Sequence, residues 1–154
     1  MSTYEVTRTT SIKAAPGTVL PLLADLRKWT QWSPWEDLDP DLRRSYSGPE
    51  SGVGAHYTWK GNRRAGEGSM EITRSEPDGI DVDLRFTRPF ANASTVKLQV
   101  RPTSTGSDVT WTMTGTRPGG VAGLVTRVVP MDRLVGKDME KGLSRLRAVT
   151  EQTA

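Results

Sequence analysis

The sequence predicts an α+β domain in which one antiparallel sheet of about six to seven strands lies under a single long C-terminal helix, with two short helices after the first strand. Three observations predict it. From Leu42 to Gly115 every segment alternates apolar and polar residues with period two, and turn residues separate the segments. From Gly120 to Glu151 the period becomes helical. Strands apolar on one face only describe an antiparallel sheet with one solvated face, and a meander with one long helix has nothing else to lay across its apolar face.

The elements follow in order. Tyr4 to Ala14 alternates, with Tyr4, Val6 and Ile12 on one parity and Glu5, Thr7, Thr9 and Ser11 on the other, and reads as the first strand. Pro16 at a first helical position opens a short helix to about Asp25, which Pro21 should distort. Leu26 to Trp32 reads as a second short helix. Leu42 to Tyr46 is a weak strand. Ala55, Tyr57 and Trp59 then oppose His56, Thr58 and Lys60, and Gly66, Gly68, Met70 and Ile72 oppose Glu67, Ser69, Glu71 and Thr73. The clearest alternation sets Ile80, Val82, Leu84 and Phe86 against Asp81, Asp83, Arg85 and Thr87. Val96, Leu98 and Val100 make the next strand, and Val109, Trp111 and Met113 the last. The breaks at Gly61-Asn62, Pro77-Asp78-Gly79, Arg88-Pro89 and Ser104 to Ser107 all carry turn chemistry. In the final helix Leu124, Val128, Met131, Leu134, Val135, Met139, Leu143, Leu146 and Val149 form an apolar stripe, broken or kinked at Pro130.

Composition narrows the function. The 154 residues suit one domain, 1–154, with a sizeable core. The chain has no cysteine and one histidine, which excludes disulfides, a thiol nucleophile and Cys- or His-rich metal sites. A net charge of +3 is mild, and the densest basic group is the pair Arg63-Arg64. No basic tract interleaved with aromatics is present, so nucleic acid is not the expected partner. No apolar run is long enough for stable membrane insertion and the N-terminus lacks a signal pattern, so a soluble cytoplasmic protein is expected. No triad, phosphate loop or metal motif is present.

The densest chemical feature is the run Trp29-Thr30-Gln31-Trp32-Ser33-Pro34-Trp35. Tryptophans spaced by three can share one face of a helical turn. Pro34 biases Ser33 out of the helix, so Trp35 belongs on an irregular segment. The run reads as core plugging one end of the sheet, or as the wall of a pocket. Tyr57, Trp59, Met70, Phe86, Trp111 and Met113 share the inward parity, either as filled core or around a ligand. Gly66 and Gly68 lie on the same parity and leave volume or permit a bend. Three residues are weak catalytic candidates. Glu67 would serve as an acid or base only if a bulge turned it inward from its outward parity. His56, the sole imidazole, also has outward parity. Arg74 continues the inward parity of Met70 and Ile72 and would fix a ligand carbonyl or carboxylate, unless it lies past the sheet edge. Gly119 to Val125 is small and apolar, and reads as a helix start packed on the sheet, with a lid or a membrane-touching segment as alternatives.

A set of motifs carries a family resemblance over nearly the whole chain. They are Ala15-Pro16, Trp29 with Trp32-Ser33-Pro34-Trp35, Tyr46-Ser47-Gly48-Pro49, Gly52-Val53-Gly54, Gly66 to Ile72, Val109 to Gly115, and Lys137 to Leu143. Together they resemble the START-like helix-grip superfamily (SRPBCC, which includes Bet v 1-like proteins), in its polyketide cyclase/dehydrase-like branch. The resemblance implies a curved antiparallel sheet gripping the C-terminal helix, with an apolar cavity between them. Members bind lipids, sterols, polyketides or hormones there, and some are aromatase/cyclases that use an interior Arg. The expected function is binding of a small hydrophobic ligand, with no cofactor and no metal. The alternatives are a cofactor-independent polyketide cyclase/dehydratase in the same cavity, and a non-catalytic homodimeric interaction protein whose cavity is filled.

Overall fold

The computed structural model describes residues 3–36, 38–88, 91–116 and 131–153. Strand β1 (Thr3–Ile12) leads into helix α1 (Pro16–Ala24) and a 3-10 segment (Leu26–Gln31). Six strands follow: β2 (Arg43–Ser47), β3 (His56–Lys60), β4 (Glu67–Glu76), β5 (Gly79–Arg88), β6 (Asn92–Pro102) and β7 (Ser107–Thr116). The last described element is helix α2 (Met131–Thr153). The strands form one antiparallel sheet in the order β1-β7-β6-β5-β4-β3-β2. β1 and β2 are therefore opposite edges, and the chain between them, with its two short helices, crosses the sheet from one edge to the other.

The alternation read from sequence sets the two faces. Val6, Ile12, Ile80, Val82, Leu84, Val96, Leu98, Val100, Val109, Trp111 and Met113 are buried on one face. The other face is polar, with Thr7 and Thr9 hydroxyls paired across the β1–β7 ladder to Thr112 and Thr110. Helix α2 buries Met139, Leu143 and Leu146, while Val135 and Val149 are half-buried. Full burial of one such leucine contributes about 1.5–3 kcal/mol. The stripe positions Leu124 and Val128, with the segment Gly119 to Val125, lie outside the described residues, as do the side chains of Met131 and Leu134. The arrangement is the helix grip that the resemblance implies.

Two features depart from the plain periods of the sequence. Pro21 lies inside α1, where the sequence reading placed it. The helix end is held from outside: the indoles of Trp32 and Trp29 donate to the carbonyls of Leu22 and Leu23, and Gly52 N–H donates to the Ala24 carbonyl. Three of the carbonyls that a helix end leaves orphaned thus gain tertiary partners. The second departure is in β4–β5. Register slips occur between Ile72 and Arg74 and between Glu67 and Gly68, so that Thr73 on β4 and Thr87 on β5 are bulge residues. Beyond Thr73 the parity of β4 reverses.

Candidate ligand-binding site

The tryptophan run is placed by local rules. Asp25 caps the 3-10 segment by accepting from Arg27 N–H. In a 3-10 turn, side chains at i and i+3 eclipse, which brings the Trp29 and Trp32 rings to 4.6 Å between centroids. Trp35 lies past the turn, as Pro34 requires. Its ring meets Trp111 edge-on at 5.7 Å, and Trp32 meets Trp111 at the same separation. Helix α2 clasps this cluster. Its Asp138 carboxylate accepts from Trp35 Nε1 at 3.2 Å, and Arg145 donates to the Ser33 carbonyl at 3.0 Å. Between them Gly142 lets the helix approach: a Cβ there would stand 2.9 Å from both Pro34 and Trp111.

A cavity of about 180 Å³ lies between this segment and the sheet. Leu26, Trp29, Ser33, Trp35, Glu36, Leu38 and Leu42 line it from the crossing chain. Tyr57, Trp59, Met70, Leu84 and Phe86 line it from β3, β4 and β5, and Arg64 and Ala65 from the β3–β4 turn. No described residue of α2 contributes, so the cavity sits toward the β2–β5 end of the sheet rather than directly under the helix. Its sheet wall is an aromatic row, in which Tyr57 stacks on Trp59 at 5.7 Å and Trp59 meets Phe86 edge-on at 5.3 Å; Tyr46, outside the lining, backs the row by stacking on Tyr57 at 5.0 Å.

One corner is polar, at Glu36 and Tyr57, with Arg44 just outside the lining. Arg44 faces Trp59 across the β2–β3 ladder and forms a tight ion pair with Glu36. The Tyr57 hydroxyl stands beside both groups. Burial raises its pKa well above the ordinary phenol value, and the Glu36 charge adds to that. Tyr57 is therefore a neutral hydrogen-bonding group at physiological pH. Among the described residues no three of His, Cys, Asp and Glu gather as a metal set, and no described helix is long and apolar enough to cross a membrane.

Of the residues singled out in the sequence, the structure brings Trp29, Trp35, Tyr57, Trp59, Met70 and Phe86 together around this cavity. Trp32, Trp111 and Met113 are buried but are not in its lining. Gly68 does not leave volume: the Trp59 ring already occupies the space above it. Gly66 serves the β3–β4 turn, with φ of +69° and its N–H bonded to the Asn62 carbonyl. Arg74 is not an interior guanidinium. The bulge at Thr73 sets it opposite Asp81, and it pairs with Asp78 at 2.6 Å and Asp81 at 3.7 Å. Glu67 stays on the outer face despite the nearby bulge, held by Lys60 at 3.4 Å and Arg88 at 3.3 Å. His56 lies beside Ser47, 3.4 Å from its hydroxyl, and away from the cavity. Sequence reasoning did not assign Leu26, Ser33, Glu36, Leu38, Leu42, Arg64, Ala65 or Leu84 to the site; all but Leu26 and Leu84 lie in irregular chain where no periodicity marks an inward side. The acidic stretch directly after Trp35 was the one available signal for Glu36.

Comparison with known proteins agrees with this fold. Residues 3–151 match the family described as polyketide cyclase / dehydrase and lipid transport. No curated protein matches the sequence. Among solved structures, a protein of unknown function from Staphylococcus aureus, SA2116, is similar with a TM-score of 0.70 at 10% identity, over 99% of this chain and 96% of that one. Protein CV1439 from Chromobacterium violaceum is similar with a TM-score of 0.66 at 16% identity, over 96% and 97%. Ara h 8.0201 is similar with a TM-score of 0.58 at 13% identity, over 99% and 97%. At these identities the likeness is one of fold. The family match over nearly the whole sequence goes further: the chain belongs to the polyketide cyclase/dehydrase and lipid transport family, within the START-like helix-grip superfamily.

Proposed function

We propose that this protein binds a small, flat hydrophobic molecule in the cavity between the Trp29–Trp35 segment and the Tyr57–Trp59–Phe86 row. The observation that carries the reading is the lining itself: aromatic faces and Met70 enclose the space, with a few polar groups gathered at one corner. That combination is typical of small-molecule sites. The volume of about 180 Å³ favours one or two fused rings, or the end of a longer molecule, over a whole lipid. A homodimer with a filled interior has less support, because the interior is not filled.

Binding to the native state alone raises the melting temperature with ligand concentration. An uncharged aromatic such as 2-naphthamide is expected to do so saturably. Leu42→Trp, at the half-buried edge of the lining, is expected to occupy the cavity and abolish the effect while the protein stays folded. No shift in the wild type, or an equal shift in the variant, would remove the basis for this reading.

A second reading, cyclisation or dehydration of a polyketide chain, draws on one observation. Glu36, Arg44 and the Tyr57 hydroxyl stand together beside the cavity, and a cyclase needs at least one positioned proton carrier, a role open here to the Glu36 carboxylate. Turnover of a β-polyketo thioester mimic that is lost in Glu36→Gln, with binding retained, would establish it. Absence of turnover in the wild type leaves binding as the function.

A further inference from the structure

We infer that the ligand carries a single anionic group, a carboxylate in the simplest case, and that Arg64 at the cavity mouth selects for it. This inference rests on the binding reading above and adds the chemical class of the ligand. Arg64 is exposed and yet lines the cavity, so it stands where the cavity meets solvent. It is the one cation in the described lining, and no carboxylate among the described residues pairs with it.

The position of Arg64 is fixed by a stitched turn. The Asn62 side-chain carbonyl accepts from the N–H groups of Arg64 and Ala65, at 2.9 and 3.0 Å. The Asn62 amide donates to the Leu38 carbonyl, and its backbone N–H donates to Asp39. Trp59 Nε1 donates to the Ala65 carbonyl at 2.9 Å. The turn is thus tied both to the crossing chain and to the aromatic wall. A guanidinium presented from such a turn is better placed for a ligand than one on a free loop, because less freedom is lost on binding.

The charges nearby set the sign. Glu36, in the lining, is already neutralised by Arg44. Asp39 is occupied by the N–H groups of Asn62 and Asp41. On the far side of the turn Lys60, Arg63 and Arg88 stand around Glu67, which among the described residues pairs with Lys60 and Arg88. Within the described lining the charge left without an ion-pair partner is thus the Arg64 cation, and an anion is drawn toward it. A carboxylate on a ring seated against Trp59 would form a charge-assisted contact with Arg64, stronger than a neutral hydrogen bond.

The test is calorimetric titration with 2-naphthoate and its neutral isostere 2-naphthamide, at low salt, in the wild type and in Arg64→Gln. The wild type is expected to prefer the carboxylate by about tenfold, a difference of about 1.4 kcal/mol. In Arg64→Gln the preference should fall to near unity, and Arg64→Lys should restore part of it. Arg64 is exposed, so the variant is expected to melt as the wild type does. If the wild type binds both compounds equally, or if Arg64→Gln keeps the preference, the inference is overturned while the cavity reading stands. If neither compound binds, both are overturned.

Discussion

The indole of Trp59 lies directly over Gly68. A Cβ at position 68 would stand 2.6 Å from Trp59 Cη2 and 2.2 Å from the Arg85 carbonyl. Gly68 pairs with Trp59 on one side and with Phe86 on the other, at the point where the β4–β5 register slips. The glycine is therefore what seats the cavity's aromatic wall: its missing side chain is filled by the neighbouring ring, not left open for a ligand. Gly68→Ala is expected to destabilise the protein by about 1–3 kcal/mol, as overpacking does, because the Arg85 backbone cannot yield as a flexible side chain could. A urea midpoint equal to that of the wild type would contradict this.

The tryptophans of the cluster are not equivalent. Trp32 and Trp111 are both fully buried. Trp32 Nε1 caps the Leu22 carbonyl at 3.0 Å, whereas Trp111 Nε1 has no hydrogen-bond partner among the described residues. Both Trp→Phe substitutions remove similar volume. Only Trp32→Phe also strips a helix-end carbonyl of its donor, so it is expected to cost about 1 kcal/mol more than Trp111→Phe. Denaturant unfolding of the two variants side by side checks the order, and a larger loss in Trp111→Phe would contradict the capping role.

All three tyrosines of the chain are shifted in one direction. Burial raises the phenols of Tyr4, Tyr46 and Tyr57 above the ordinary value of 10.0. Below that value the phenols are neutral in both the folded and the unfolded chain, and stability is unaffected. As the pH rises past about 10 the unfolded chain releases these protons and the native protein does not, so stability falls. Spectrophotometric titration is expected to show tyrosinate appearing late and together with unfolding. Tyrosinate forming at ordinary pH in the native protein would contradict the burial of the Tyr46–Tyr57 stack.

Much of the fold was legible because two periods carried it. The alternation at Ile80 to Phe86 and at Val109 to Met113 fixed the buried face, and the stripe Met139, Leu143 and Leu146 fixed the helix that covers it. The site was legible only where it borrowed those periods, at Tyr57, Trp59, Met70 and Phe86. Arg74 was misread because a single bulge residue, Thr73, reverses the parity that the reading extended through it. Gly68 was misread because alternation gives the direction of a missing side chain but not which neighbour fills its place. Glu36 and Arg64 lie in irregular chain whose course is set by long-range contacts, such as Asn62 with Leu38 and Asp39.

We place the binding of a small aromatic molecule in the space bounded by Trp29, Trp35, Tyr57, Trp59 and Phe86. Methyl NMR during titration with 2-naphthamide would locate that binding. Met70 and Leu84 line the cavity, whereas Leu98 and Val109 are buried elsewhere in the same core. The Met70 and Leu84 methyl signals are expected to shift saturably, by ring currents, while those of Leu98 and Val109 stay in place. Saturable shifts confined to other methyls, or none at all, would contradict the claim.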